Sequence, residues 1–90
     1  MKKYTESEIE RVINERVTMK FYEATLKKGL ICEWTFKYPT GYITADVEST
    51  FPMNEEDHDP VIAHDLILGK IERKVWEICG KYTLATGDKL

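Results

Sequence analysis

The stretch of sequence best equipped for chemistry is an acidic segment that leads into a helix. Residues 54–59 include four acids and His58, and His64 and Asp65 follow shortly after. Such groups could hold a divalent cation or act as an acid–base pair. The spacing supports neither, because a calcium loop needs a turn glycine that is missing here, and a helix start separates the two histidines. The sequence therefore predicts a solvated acidic loop with no metal ligand and no cofactor.

Cys32 and Cys79 are the only thiols in the sequence. Each falls on a predicted apolar face, where a cysteine behaves as a small hydrophobic residue and its thiolate is disfavoured. The chain also has no glycine-rich phosphate loop and no spacing that favours a Ser–His–Asp triad. The sequence therefore predicts no catalytic residue and a protein that is not an enzyme.

Aromatic and basic residues leave a nucleic-acid-binding alternative open. Trp34, Phe36 and Tyr38 alternate along one predicted strand and could stack on bases, but a sheet needs one face for its own core, which favours burial. The pairs Lys27–Lys28 and Arg73–Lys74 could form a local basic patch. The formal net charge of −3 argues against a general nucleic-acid-binding protein.

Two changes of hydrophobic period divide the chain into a helix, a sheet and a second helix. Thr5-Glu6-Ser7-Glu8 is a capping box, and the apolar residues after it recur at helical spacing, which predicts a helix over residues 6–16. From residue 18 to residue 50 the period becomes two, and Pro39-Thr40-Gly41 supplies a turn. This segment is predicted to be a three-stranded antiparallel meander, with its first strand near residues 19–25.

The second helix begins at a clear sequence signal. Asp59 is its predicted N-cap, and Pro60 takes the first helical position, where a missing N–H costs nothing. Gly80 stands where a left-handed C-cap belongs, so the helix is predicted over residues 60–79. An acidic loop (51–59) precedes it, and in the tail that follows (80–90) we expect Tyr82 and Leu84 to fold back and the last residues to fray.

The apolar faces of these three parts define the predicted core and the fold class. The fold is α+β: a short N-terminal helix, a three-stranded antiparallel meander and a long C-terminal helix packed on one sheet face. Alternation on the third strand places Ile43, Ala45 and Val47 on its inward face. The predicted core residues are Ile9, Ile13, Trp34, Phe36, Val47, Leu68, Ile71 and Val75.

Length and composition predict one domain in the cytoplasm. Ninety residues, 42% of them hydrophobic, suffice for a single core and no more. The N-terminus lacks the apolar stretch of a signal peptide, and no apolar run approaches the ~20 residues that span a bilayer. A domain this small has a thin stability margin, which association would improve, so we expect a homodimer.

The second helix also provides most of a candidate interaction surface. Trp76 lies off the predicted buried stripe, and Gly69 on the same flank would let a partner approach the backbone. The dimer contact is predicted at this flank, with coverage of Trp76 by the tail as the alternative. The candidate surface comprises Trp76, Gly69, Glu72, Arg73, Lys74, His64 and Tyr42.

From Leu30 onward the sequence resembles a family of short tailed-phage proteins named after gene forty-nine of one podophage and gene sixty-six of another. The resemblance is carried by the turn at residues 38–43, the acidic loop, and the helix end at residues 71–78 with the glycine and tyrosine after it. The chain departs from the family where Asn54 is followed by acids, and where Ala63 replaces a usual glycine. The resemblance implies a phage-encoded accessory protein made in an infected bacterium, and it transfers no functional residue.

Together these expectations predict a small accessory protein that binds or sequesters a host component during infection. The component is a host protein or a small signalling ligand, and countering host defence is one purpose that such binding could serve. A nucleic-acid-binding accessory protein is the alternative, through the two basic pairs. A small metal-dependent enzyme centred on His58 and His64 is the least favoured hypothesis.

Overall fold

The computed structural model describes residues 3–90. The three strands form one antiparallel sheet in which they lie in sequence order, and the elements have the predicted α+β arrangement of a short helix, a meander and a long helix. The elements are α1 (Glu6–Arg16), β1 (Val17–Glu23), β2 (Leu30–Lys37), β3 (Ile43–Thr50), a 3-10 turn (Glu55–Asp57) and α2 (Pro60–Thr86).

The first helix has the predicted bounds because its N-terminus is capped as expected. Thr5 Oγ1 accepts a hydrogen bond from the Glu8 N–H at 3.2 Å, and the Glu8 carboxylate accepts one from the Thr5 N–H at 3.1 Å. An 11-residue helix is too short to be stable alone, so its buried residues, Ile9 and Val12, must pack on the rest of the chain. The chain passes directly from α1 into β1.

The central strand, β2, has the alternating burial that its sequence predicts. Leu30, Cys32, Trp34 and Phe36 are buried on one face of the sheet, whereas Glu33 and the other intervening residues point away from the core. Strand β1 lies two residues earlier than predicted, because the chain enters it from α1 without a loop.

The inward face predicted for β3 is wrong. Val47 is 54% exposed, whereas its neighbour Glu48 is 7% exposed. The register explains this: Trp34 pairs with Asp46, and directly paired residues share a face of the sheet. The core face of β3 therefore carries Thr44, Asp46 and Glu48, and the apolar Ile43, Ala45 and Val47 face outward.

The second helix begins at Pro60 as predicted but ends at Thr86, seven residues beyond the predicted end at residue 79. Asp59 Oδ1 accepts the Val61 N–H at 2.9 Å, which confirms the predicted N-cap. Gly80 lies inside the helix, and the left-handed C-cap is Gly87, with φ of 78°. The helix continues because its buried positions recur every four residues through Cys79 to Thr83, and this packing outweighs the cost of one glycine.

One face of α2 covers the sheet and closes the core. Ile67, Ile71 and Val75 are fully buried, whereas Leu68, a predicted core residue, is only half-buried at the edge of the stripe. The helix runs antiparallel to β3, since Lys70 contacts Ser49 and Lys74 contacts Asp46. The long helix therefore extends from the β3 end to the hairpin turn, and the molecule is elongated, at 48 × 24 × 18 Å.

The residues after α2 are anchored rather than frayed. Leu90 is buried, its N–H donates to the Tyr4 hydroxyl at 2.8 Å, and its main-chain oxygen accepts from Arg11 at 2.7 Å. Leu84, predicted to fold back, stays in the helix and is 73% exposed. The chain from Gly87 onward thus returns to α1 and fastens the two helices together.

Candidate interaction surfaces

Six of the seven residues of the sequence-predicted interaction surface lie on different sides of α2, and the seventh, Tyr42, lies in the turn between β2 and β3. The His64 ring stacks on Phe21 of β1, with 4.4 Å between the ring centroids. Lys74 points instead toward β3, where its Nζ lies 2.9 Å from Asp46 Oδ2. Strands β1 and β3 are opposite edges of the sheet, so His64 and Lys74 cannot contact one partner group together.

Lys74 is the centre of a polar network on the core face of β3. Its ammonium donates to Asp46 and, at 2.6 Å, to Glu48 Oε2, which also accepts from the Trp34 indole N–H at 3.1 Å. The hydrogen bond with Glu48 and that with Asp46 raise the pKa of Lys74, and the Lys74 hydrogen bond lowers the pKa of Asp46. The two carboxylates offset the positive charge of the Lys74 ammonium, so the Arg73–Lys74 pair is a weaker basic patch than the sequence suggests.

The flank around Trp76 is partly covered by the protein itself. Trp76 is half-buried against the core cluster, and Glu72 and Arg73 nearby are exposed. A β-carbon at Gly69 would meet nothing within 4 Å, so that position leaves the helix surface open. Tyr42 is separate from this flank: it is exposed in the hairpin turn, 5.9 Å from the ring of Tyr38.

The two cysteines lie in the core as the sequence predicts. Both are fully buried and unpaired. Burial raises the pKa of the Cys79 thiol to about 11 and also raises that of Cys32. Both groups are therefore protonated thiols at neutral pH, which is the unreactive form.

The acidic loop is largely exposed to solvent. Its residues 55–57 form a single 3-10 turn, all three side chains are exposed, and His58 after them is half-buried. Within residues 3–90, no group of three or more histidine, cysteine or acidic side chains is arranged to hold a metal ion.

The structure reveals an apolar surface that the sequence analysis missed, which we call the Phe51 patch: Leu26, Phe51, Ile62 and Leu66. The four residues come from the β1–β2 loop, the end of β3 and the first turns of α2. Their exposed fractions are 98%, 40%, 58% and 52%. No single stretch of sequence contains the patch, so periodicity could not have found it; the one local signal was an isolated Leu26 beside two lysines.

Phe51 holds the patch together. Its ring packs so closely on Gly29 that a β-carbon there would collide with it, and Lys27 Nζ lies 4.9 Å from the ring centroid. Leu26 and Phe51 line one open groove of about 330 Å³. Phe51, Ile62 and Leu66 line a second, of about 170 Å³. Phe51 is the residue that the two grooves share.

Comparisons with protein-family models, with curated proteins and with solved structures found no match to this chain. None of the helices formed by residues 3–90 is long and apolar enough to cross a membrane.

Proposed function

We propose that this chain is a phage-encoded accessory protein that binds a host protein through the Phe51 patch. The observation that carries the binding role is the concentration of exposed apolar side chains at one end of an elongated molecule. A group of exposed apolar side chains of this kind is typical of protein-interaction sites. The phage origin is supported by the resemblance of residues 38–82 to the short tailed-phage proteins.

A protein partner fits this surface better than a small ligand does. Small-molecule sites are concave and bury most of the ligand, whereas the two grooves beside Phe51 are shallow and open. A partner could place an apolar side chain in each groove, with Lys27 beside one groove and Asp59 beside the other as polar rim residues.

Affinity capture from host lysate tests the proposal. The immobilised wild-type chain is compared with the double variant Leu26→Ser/Leu66→Ser and with the control Leu84→Ser. The control removes a leucine near the other end of α2 whose exposure, 73%, lies between the 98% of Leu26 and the 52% of Leu66. The captured protein is then purified and titrated against each variant. We expect the double variant to weaken binding at least about tenfold and the control to leave it unchanged.

Two outcomes would contradict the proposal. A partner that binds all three proteins equally would place the contact away from the Phe51 patch. Recovery of nucleic acid alone, released by salt, would favour the nucleic-acid-binding alternative.

A further inference from the structure

Strand β3 is an edge strand with one unpaired side. Among the residues that the structure describes, 3–90, it pairs only with β2, and the Tyr38 N–H donates to the Tyr42 oxygen at 2.8 Å where the hairpin closes. Because antiparallel strands alternate the direction of their main-chain groups, residues 44, 46, 48 and 50 hydrogen-bond with β2. Residues 43, 45, 47 and 49 therefore direct their N–H and C=O groups to the open side.

Side chains occupy two of these outward groups and leave the first half of the edge open. Asp46 Oδ1 accepts the Val47 N–H at 2.8 Å, and Lys70 Nζ donates to the Ser49 oxygen at 2.7 Å. No hydrogen bond within residues 3–90 reaches the outward N–H or C=O of Ile43 or Ala45. An open edge of this kind is a template for pairing with another strand.

We propose that β3 pairs antiparallel with the β3 strand of a second copy of this chain, centred on Ala45. The pairing would join the two sheets into one sheet of six strands, with both α2 helices on the same face. The paired segment would run from Ile43 to Val47, so Phe51 lies outside it. On pairing, the Val47 N–H would exchange the Asp46 carboxylate for the Ile43 oxygen of the second copy. This dimer differs from one built on the Trp76 flank and does not depend on the proposed host partner.

The register follows from which residues would face each other across the two-fold axis. Centring on Ala45 sets Ile43 opposite Val47 of the second copy, and Ala45 opposite its own copy. These three residues form the outward apolar face of β3, where Ile43 is 55% and Val47 54% exposed. Apolar pairs directly opposite one another stabilise an antiparallel sheet, so this register covers the surface that the monomer leaves open.

The acidic side chains on the core face of β3 argue against two alternative registers. With the axis at Ala45, Asp46 lies opposite Thr44 of the second copy, so the carboxylate faces an uncharged hydroxyl. Centring on Asp46 would set that carboxylate against its own copy, and centring on Val47 would set Asp46 against Glu48. Like charges directly opposite destabilise a sheet, so these two registers are disfavoured.

The oligomeric state measured by light scattering is the first test. We expect wild type at twice the 10.5 kDa of one chain. Ala45→Lys should be monomeric, because it sets two ammonium groups against each other at the axis. The matched control is Thr35→Lys, which places the same charge on the same outward face one strand inward, since Thr35 pairs with Ala45. This control should remain a dimer.

Cysteine cross-linking tests the register. In the proposed pairing the two copies of residue 45 have Cα atoms about 5.5 Å apart, within the range of a disulfide. The two copies of residue 47 lie about 14 Å apart along the strand, which no disulfide spans. Mild oxidation should therefore cross-link Ala45→Cys and leave Val47→Cys single, and the buried Cys32 and Cys79 should not contribute.

Several results would overturn the proposal. One is a wild-type protein that is monomeric at every concentration. Another is a dimer that persists in the Ala45→Lys variant but is lost in the Trp76→Ala variant. Loss of the dimer in Thr35→Lys would indicate face-to-face packing of the sheets. Cross-linking of Val47→Cys in place of Ala45→Cys would show that the register is wrong.

Discussion

The carboxylate of Glu48 is buried on the core face of the sheet, where it accepts hydrogen bonds from two side chains. Its side chain is 8% exposed, and Trp34 and Lys74 both donate to Oε2. A buried carboxylate is tolerated only when it is paired and hydrogen-bonded. Glu48 therefore links β2, β3 and α2 through one oxygen atom.

Replacing Glu48 by alanine should destabilise the fold. The change leaves the indole N–H of Trp34 buried without an acceptor, and a buried unsatisfied donor costs about 1–3 kcal/mol. Urea denaturation followed by tryptophan fluorescence measures the loss. Glu48→Gln should cost less, because its amide oxygen can still accept from the indole. Equal losses in the two variants would show that the charge pairing with Lys74 carries the effect instead.

At the scale of elements, the structure distinguishes two positions one turn apart on α2, Leu68 and Ile71, that the sequence predicted alike to be core residues. Ile71 is fully buried, whereas Leu68 is half-buried. Ile71→Ala should lower the free energy of unfolding by about 2–5 kcal/mol, and Leu68→Ala by clearly less, because part of its surface already meets water. Thermal and urea unfolding of both variants measure the difference. A larger loss from Leu68→Ala would mean that the buried stripe is misplaced.

The order and type of the elements were predictable because their signals are local. The capping box at Thr5, the N-cap at Asp59 and the alternation along β2 each act within a few residues, and each holds in the structure. The end of α2 was not predictable from Gly80 alone. Its continuation depends on contacts from far away in sequence, since the Tyr4 hydroxyl hydrogen-bonds with that of Thr83 at 2.9 Å and α1 packs on α2.

The inward face of β3 depends on the register of its pairing with β2, and the hydrophobic pattern of β3 alone predicts the wrong face. Ile43, Ala45 and Val47 alternate like a core face, yet the pairing of Tyr38 with Tyr42 across the turn sets Asp46 beside Trp34. Counting back from that three-residue turn would have given the correct face. The acids are tolerated there because Lys74 of α2, which no local pattern places, lies over them.

The Phe51 patch escaped prediction for a related reason. Its four residues come from three segments, and each alone reads as a loop residue or as part of an amphipathic helix. Only the packing of Phe51 on Gly29 and the approach of α2 bring them together.

For the molecule as a whole, ion pairs connect segments that are distant in sequence. Lys89 Nζ lies 2.9 Å from Glu8 Oε2 and ties the end of the chain to α1, while Lys74 ties α2 to β3. The Lys89 hydrogen bond lowers the pKa of Glu8, with a smaller effect from the capping bond to Thr5. Both pairs therefore link stability to pH.

Stability should be greatest between two limits of pH. Glu8 and Asp46 have depressed pKa values in the folded state, so their contribution is present above the unfolded values of about 4 and is lost as the pH falls through the folded values. Lys74 has a raised pKa, so its contribution is complete below the unfolded value of about 10.4 and is lost as the pH rises through the folded one. Melting temperatures measured across this range should therefore fall at both ends.

Glu8→Gln separates the acid limb from general acid unfolding. Glutamine retains the side-chain oxygen that accepts the Thr5 N–H, so the capping box and α1 should persist. It cannot titrate, so the dependence of melting temperature on pH below about 4 should become shallower than in wild type. Lys89→Met should flatten the same limb, because the ammonium whose hydrogen bond contributes most to the low pKa of Glu8 is gone. If both variants keep the wild-type slope, the contact between α1 and the end of the chain does not persist in solution, and the anchoring of Leu90 fails with it.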